Sequence, residues 1–308
     1  MHTPSTVDLP ALKRRLGEVG VWTGRLAQAS GETARDAARA IEDLGYGSLW
    51  LNESPGGKDP LTHAALLLAA TERLVLATGI ASIWARDATT ATAAAGTLAE
   101  GWPGRFVLGL GVSHAPAVSA RGHQYGKPLA TMRSYLDGMD AAPYDAPLPE
   151  RPARLLAALR PRMLELARDR ADGAHTYFVT PEHTAWARRI LGPDNLLVPE
   201  QAVVIEREPE RARRAARGHM AVYLTLPNYL NSLRDAGWTD ADFADGGSDR
   251  LVDAIVAYGD AQAIAARVRA HLDSGADHVC IQPLADTLDQ ALELLAEVAP
   301  VLIRPAPA

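Results

Sequence analysis

A chain of 308 residues, 47% hydrophobic and 22% charged, has the make-up of a globular protein long enough to bury one sizeable core. Its 31 Lys and Arg against 37 Asp and Glu leave a formal charge of -6, which gives no electrostatic footing for nucleic acid. The single cysteine, Cys280, excludes an intrachain disulfide and a Cys-based zinc cluster, and reads as buried packing.

Residues 1–16 hold Lys13, Arg14 and Arg15 but no apolar stretch of the signal-peptide kind, and the longest apolar run, 64–70, is too short to cross a bilayer. The expectation is a cytoplasmic protein with no membrane partner. From there the chain alternates short apolar runs with helical stretches. The first two strands are expected at 20–22 and 48–51, separated by a helix whose Ala34, Ala37, Ala38, Ile41 and Leu44 share one face and whose stop is Gly45. Strands three and four are expected at 74–80 and 106–110, with a helix over 87–100 between them ended by Gly-Trp-Pro-Gly.

Four further strands are expected at 155–159, 174–179, within 196–205, and at 278–282, followed by a last helix over about 287–298. The runs are continuously apolar, as parallel strands covered on both faces should be. Eight such units predict a (β/α)₈ TIM barrel, forming one domain over 1–308. The length beyond the usual ~250 residues falls in insertions after strands 4 and 7, at 115–152 and 206–277. The first is rich in proline and the second contains the turn Asp245-Gly246-Gly247-Ser248. The architectural rival is an open doubly wound sheet. Against it, Gly109 and Gly111 lack the third glycine of a dinucleotide fingerprint, because His114 stands there.

In a parallel barrel the functional groups gather where strands end, since all carboxyl ends open on one face. Strand two ends in Asn52-Glu53, strand three in Gly79-Ile80, strand four in Gly111-Val112-Ser113-His114, and strand six leads to Thr180-Pro181. No histidine pair has the i, i+4 spacing of a helical metal site, so no metal is expected. No Gly-x-Ser-x-Gly elbow supports a hydrolase.

Three stretches, LVLATGI at 74–80, GRFVLGLGVSH at 104–114, and ADGAH at 171–175 with TPE at 180–182, resemble the bacterial luciferase-like superfamily, and most of all its deazaflavin branch, the coenzyme F420-dependent oxidoreductases. The resemblance covers nearly the whole chain. It implies a deazaflavin across the strand ends, a hydride exchanged with a small-molecule substrate, a homodimer, and a non-proline cis peptide after strand three, which by position is Gly79-Ile80. Glycines at 79, 109 and 111 either let a flat ring approach bare backbone or relieve crowding inside a narrow barrel.

The resemblance places Glu53 near the reacting ring centre, where a carboxyl in an apolar mouth would hold a raised pKa and move a proton. The other reading is a loop glutamate before the turn Pro55-Gly56-Gly57. His114 is the second acid/base candidate. Asn52, Gly79, Ile80, Gly111 and Ser113 are the ring-binding candidates. Thr180, also an N-cap before Pro181, and Arg160, where relatives commonly carry glycine, are candidates for the phosphate tail. Arg160 either clamps the phosphate or fills its space. Trp22 and Trp84 are expected to wall a substrate pocket or to pack the rim. The alternatives are an FMN-dependent monooxygenase that uses oxygen and a reductase partner, and a barrel that binds without turnover.

Overall fold

A computed structural model describes residues 7–303. Among the described residues there are ten strands: β1 (Val19–Thr23), β2 (Ser48–Leu51), β3 (Val75–Thr78), β4 (Ala81–Ser82), β5 (Phe106–Gly111), β6 (Ala153–Ala157), β7 (Gly173–Thr176), β8 (Leu196–Ile205), β9 (Ala257–Gly259) and β10 (Val279–Pro283). All pair in parallel, in the order β10, β1, β2, β3, β5, β6, β7, β8, and the sheet closes where Cys280 of β10 stands opposite Glu200 of β8. That closure excludes the open doubly wound sheet and gives an eight-stranded TIM barrel. Short β4 adds to β5, and β9 extends the far end of β8.

Where the strands depart from the expected bounds, a local cause is visible. β6 begins two residues early because Arg154 belongs to it, facing outward with its guanidinium on Asp140 and the Arg170 carbonyl. β7 stops at Thr176 because Phe178 turns the chain with φ +61°. The expected third strand is broken into β3 and β4 by a cis peptide bond at Gly79-Ile80, the place the resemblance implies. β8 runs its full ten residues because β9 takes up its last three as partners.

An unexpected helix, Leu9–Leu16, begins on the N-cap Asp8, and its Leu12 and Leu16 join the apolar cluster inside the barrel at the strand starts. The outer core lies between strands and helices. Ala34, Ala37, Ala38 and Ile41 of Gly31–Asp43 and Leu294, Leu295 and Val298 of Leu288–Leu302 press on it as amphipathic faces. The first insertion folds into helices Ala115–Ala120 and Pro128–Ala141; the second forms Pro209–Tyr223, Pro227–Asp235, Asp240–Phe243 and Asp249–Ile255 before β9. No helix among the described residues is long and apolar enough to cross a membrane.

Buried histidines make the fold acid-sensitive. Burial lowers His63, His175, His219 and His278 to about 4 and His271 to about 3. The unfolded chain, with histidines near 6.5, then binds protons that the folded chain refuses, so stability is present above 6.5 and is lost as pH falls toward 4. The expected result is a thermal midpoint that drops steadily between pH 6.5 and 4 in circular dichroism melts. A flat midpoint over that range would contradict it.

Candidate functional site at the barrel mouth

Alternation along the strands decides which side chains enter the barrel. Trp22, Trp50, Ala77, Val107, Leu155, Val198 and Cys280 point inward. Two residues further along their strands the same parity brings Asn52, Gly79, Gly109, Ala157, Glu200 and Gln282 to the inner face, with Tyr177 beside them. The layer is lopsided. Glycine and alanine stand on the β3, β5 and β6 side; aromatic and polar groups stand on the β7, β8 and β10 side and at Asn52 after β2.

The second insertion presses its own aromatics into that layer. Tyr229 of helix Pro227–Asp235 packs its ring 5.6 Å from His114, 5.5 Å from Phe178 and 5.2 Å from Tyr223. Tyr177 shares a 2.7 Å hydroxyl contact with Tyr223 and donates to Gln282 Oε1 at 2.7 Å. Burial raises the Tyr177 and Tyr229 phenols well above 10, so these hydroxyls stay neutral donors.

Two clefts open near this aromatic plug, and neither is lined by Tyr177, Tyr223 or Tyr229. One cleft, of about 580 Å³, is lined by Trp22, Arg25, Arg214, His219 and Gln282 among others. The other, of about 390 Å³, is lined by Thr180, His183, Trp186, Asp235 and Trp238 among others. Each lies in the range of small-molecule sites.

The sequence candidates divide among these regions. Glu53 reaches the mouth, but not as a carboxyl in apolar surroundings. Its side chain is 5% exposed; Arg86 donates to both its oxygens at 3.0 Å, Arg121 adds a contact at 3.2 Å, and the Ser82 backbone N–H donates at 2.8 Å. Arg86 also donates to Asp59 at 2.6 Å. Burial works to lower the Arg86 pKa, but the bonds to Glu53 and Asp59 outweigh it and the net shift is upward. The carboxylate ties the β4 bulge to the first insertion, because Ser82, Arg86 and Arg121 come from those segments. The apolar premise for proton transfer by Glu53 is therefore corrected.

The glycines stand in close quarters. A Cβ on Gly79 would meet the Trp22 indole at 2.6 Å, one on Gly109 the Thr78 carbonyl oxygen at 2.0 Å, and one on Gly111 the Ile80 side chain at 2.5 Å. Protein atoms stand where each Cβ would be, which fits relief of crowding inside the barrel. Trp22 donates from Nε1 to the Gly79 carbonyl at 2.7 Å, which covers the bulge, and its ring also lines the larger cleft. Trp84 lines neither cleft; it donates to the Val112 carbonyl at 2.9 Å and packs on the rim against His123 and Tyr125.

Asn52 is half-buried at the mouth and its Oδ1 has no partner. Ser113 adopts φ +56°, a left-handed conformation that costs a non-glycine residue energy, and its carbonyl accepts from the Tyr125 hydroxyl at 3.2 Å. That turn delivers His114 to the plug. Burial lowers the His114 pKa against the opposing bond from Asn228, so the ring is neutral at pH 7. Thr180 caps helix Pro181–Leu191 and faces the smaller cleft. Arg160 donates from Nε to Asp235 at 2.7 Å, so it neither reaches freely toward an anion nor fills the cleft; it ties the barrel rim to the plug helix.

Several residues of the mouth had no sequence signal. Tyr177, Tyr223 and Tyr229 come from different elements, and Glu200 interrupts an apolar strand. His175 donates from Nδ1 to the Val198 carbonyl at 2.9 Å and stacks on Trp50 at 4.8 Å, yet its Nε2 has no partner. Among the described residues no group of three or more His, Cys, Asp or Glu stands close enough to hold a metal ion.

Comparison with known proteins agrees with the barrel fold. A Mycobacterium tuberculosis protein provisionally named as a coenzyme F420-dependent oxidoreductase is 34% identical over 121 residues, 39% of this chain and 33% of that protein. A 5,10-methylenetetrahydromethanopterin reductase of Methanolobus tindarius is 26% identical over 159 residues, 44% of this chain and 47% of that one. The chain thus matches between a third and about half of the length of these two relatives. Among solved structures, an F420-dependent secondary alcohol dehydrogenase superposes with a TM-score of 0.73 at 14% identity, covering 93% of this chain and 99% of that one. The FMN-bound oxygenating constituent of 3,6-diketocamphane monooxygenase from Pseudomonas putida superposes at 0.69 and 15% identity, covering 94% and 100%. The family model for luciferase-like monooxygenases matches residues 17–278, and the chain belongs to that family.

Proposed function

We propose that this protein is an oxidoreductase that binds a deazaflavin of the coenzyme F420 type at the barrel mouth and exchanges a hydride with a small organic molecule. The observation that carries the reading is a pair of inward-facing polar atoms without partners, Asn52 Oδ1 and His175 Nε2, in a barrel that carries two clefts of small-molecule size. Such orphans are rare in folded proteins and, both being acceptors, suit the N–H groups of a ring edge. The names of the relatives favour the deazaflavin over FMN.

When bound, the ring supplies a two-electron carrier. Asn52 and His175 would orient it. Thr180 and the free N–H groups at the start of Pro181–Leu191 would face its anionic tail, with Arg160 available if Asp235 releases it. His114, neutral at pH 7, is the proton acceptor of the set, and Glu53 positions the bulge and the first insertion around it. Trp22 walls the larger cleft, where the organic substrate would sit beside the ring.

Separate titrations with the oxidised deazaflavin and with FMN, followed by fluorescence, test this. Saturable binding of the deazaflavin with little response to FMN is expected. Tight FMN binding with indifference to the deazaflavin would overturn the reading in favour of an oxygen-using monooxygenase.

A further inference from the structure

The larger cleft is charged in a way that neither the fold nor the roles above use. Helix Pro209–Tyr223 carries four arginines. Arg211 pairs with Glu206, Arg213 with Asp253 and Arg217 with Asp249. Arg214, the one that lines the cleft, has no hydrogen bond or ion pair among the described residues. From the loop after β1, Arg25 lines the same cleft; it donates from Nη1 to the Asp286 main-chain carbonyl at 2.6 Å and has no carboxylate partner among the described residues. The other titratable groups of the lining are Asp286 and His219, and burial lowers His219 to about 4, so it is neutral at pH 7. Two positive charges therefore stand against one negative.

Small residues on the same helix face leave room beside the charge. Ala215 and Gly218 line the cleft, and a Cβ on Gly218 would meet nothing within 4 Å. Trp22 and Pro283 are buried while Arg25 and Arg214 are exposed, so the cleft runs from a cationic rim to an apolar floor. Two polar groups of the lining are short of partners. His219 Nε2 is buried with none, and Gln282, whose Oε1 accepts from Tyr177, has no bond to its Nε2 among the described residues. The cleft also adjoins Asn52, because a Cβ on Gly24 of its lining would stand 3.3 Å from Asn52 Oδ1.

We propose that the larger cleft selects an organic monocarboxylate as the substrate, with the carboxylate on Arg214 and Arg25 at the rim, the apolar body over Trp22 and the reacting end toward Asn52. The inference rests on the deazaflavin reading for a ring at Asn52. A guanidinium offers donors in a planar fork that matches a carboxylate, and all those of Arg214 are unspent. The net single positive charge balances a monoanion, whereas a phosphate dianion would exceed it and meet Asp286 as well. The cofactor's own phosphate is the other source of an oxyanion, and the test separates the two.

Calorimetric titration of the full chain with phenylacetate and with neutral phenylacetamide reads the charge without turnover. The acid is expected to bind at least about tenfold more tightly than the amide, the low end for charge-assisted hydrogen bonds because both arginines are exposed, and to lose that advantage as salt rises. Arg214→Gln should bind the acid about tenfold more weakly while keeping the native melting midpoint and the native affinity for the amide. Gly218→Leu should weaken both probes by filling the cleft. No measurable binding of the acid, equal affinities for acid and amide, or native affinity for the acid in Arg214→Gln overturns the proposal. So does a loss of affinity in Arg214→Gln for the phosphate-bearing deazaflavin but not for the phosphate-free deazariboflavin, since the arginine then serves the cofactor tail. If the preference for the acid depends on Arg214 while the native protein ignores the deazaflavin, the cofactor reading fails and the carboxylate site stands.

Discussion

Replacing Arg86 with alanine is expected to lower stability by about 3–5 kcal/mol, the size of the loss when one partner of a buried ion pair is removed and the other stays. The pair qualifies because the Arg86 and Glu53 side chains are 9% and 5% exposed and meet through two 3.0 Å bonds. Without Arg86 the Glu53 carboxylate keeps only Arg121, at 3.2 Å and on a mobile-length side chain, and the Ser82 N–H. Glu53→Gln should cost less, because Arg86 retains Asp59 at 2.6 Å. Urea unfolding with activity measured in parallel separates the roles. A positioning Glu53 loses stability in both variants, in that order; a proton-transferring Glu53 would lose kcat in Glu53→Gln with its urea midpoint intact. An Arg86→Ala midpoint equal to that of the native chain would refute the ionic tie.

The contrast explains what could be read from residue order. The barrel was legible because each strand is a run of apolar residues covered on both faces, and because Thr180-Pro181 and Asp59-Pro60 mark helix starts by local chemistry. The site was legible only as a set of strand ends. Glu53 has its meaning from Arg86 and Arg121, which lie 33 and 68 positions away, and Arg160 from Asp235, 75 positions away. Glycines at 79, 109 and 111 look alike as bare backbone or as space for Trp22, Thr78 and Ile80, since the difference depends on which side chain folds over them. Glu200 sits in the one expected strand whose extent the apolar pattern left open, because its own polarity breaks that pattern.

Arg160 therefore has to be considered with the plug that it helps to hold. Tyr229 is 7% exposed among four rings, and cutting a buried aromatic to alanine typically costs about 3–5 kcal/mol. If the deazaflavin lies across the mouth, the same cut should improve binding. A site available only when helix Pro227–Asp235 lifts has its apparent affinity reduced by the fraction of open molecules. Tyr229→Ala is expected to be less stable than the native protein and yet to bind oxidised deazaflavin at least about tenfold more tightly, the equivalent of ~1.4 kcal/mol less closure to undo. Tyr229→Phe keeps the ring and should bind as the native protein does. Arg160→Ala should act in the same direction but weakly, since a half-exposed ion pair contributes at most about 1 kcal/mol, and it also removes a donor for the tail. Stopped-flow association rates with parallel melts decide the matter. An alanine variant that loses stability and gains neither rate nor affinity would mean that Tyr229 belongs to the permanent wall of the mouth, and that any planar ligand must be confined to the larger cleft beside Trp22 and Gln282.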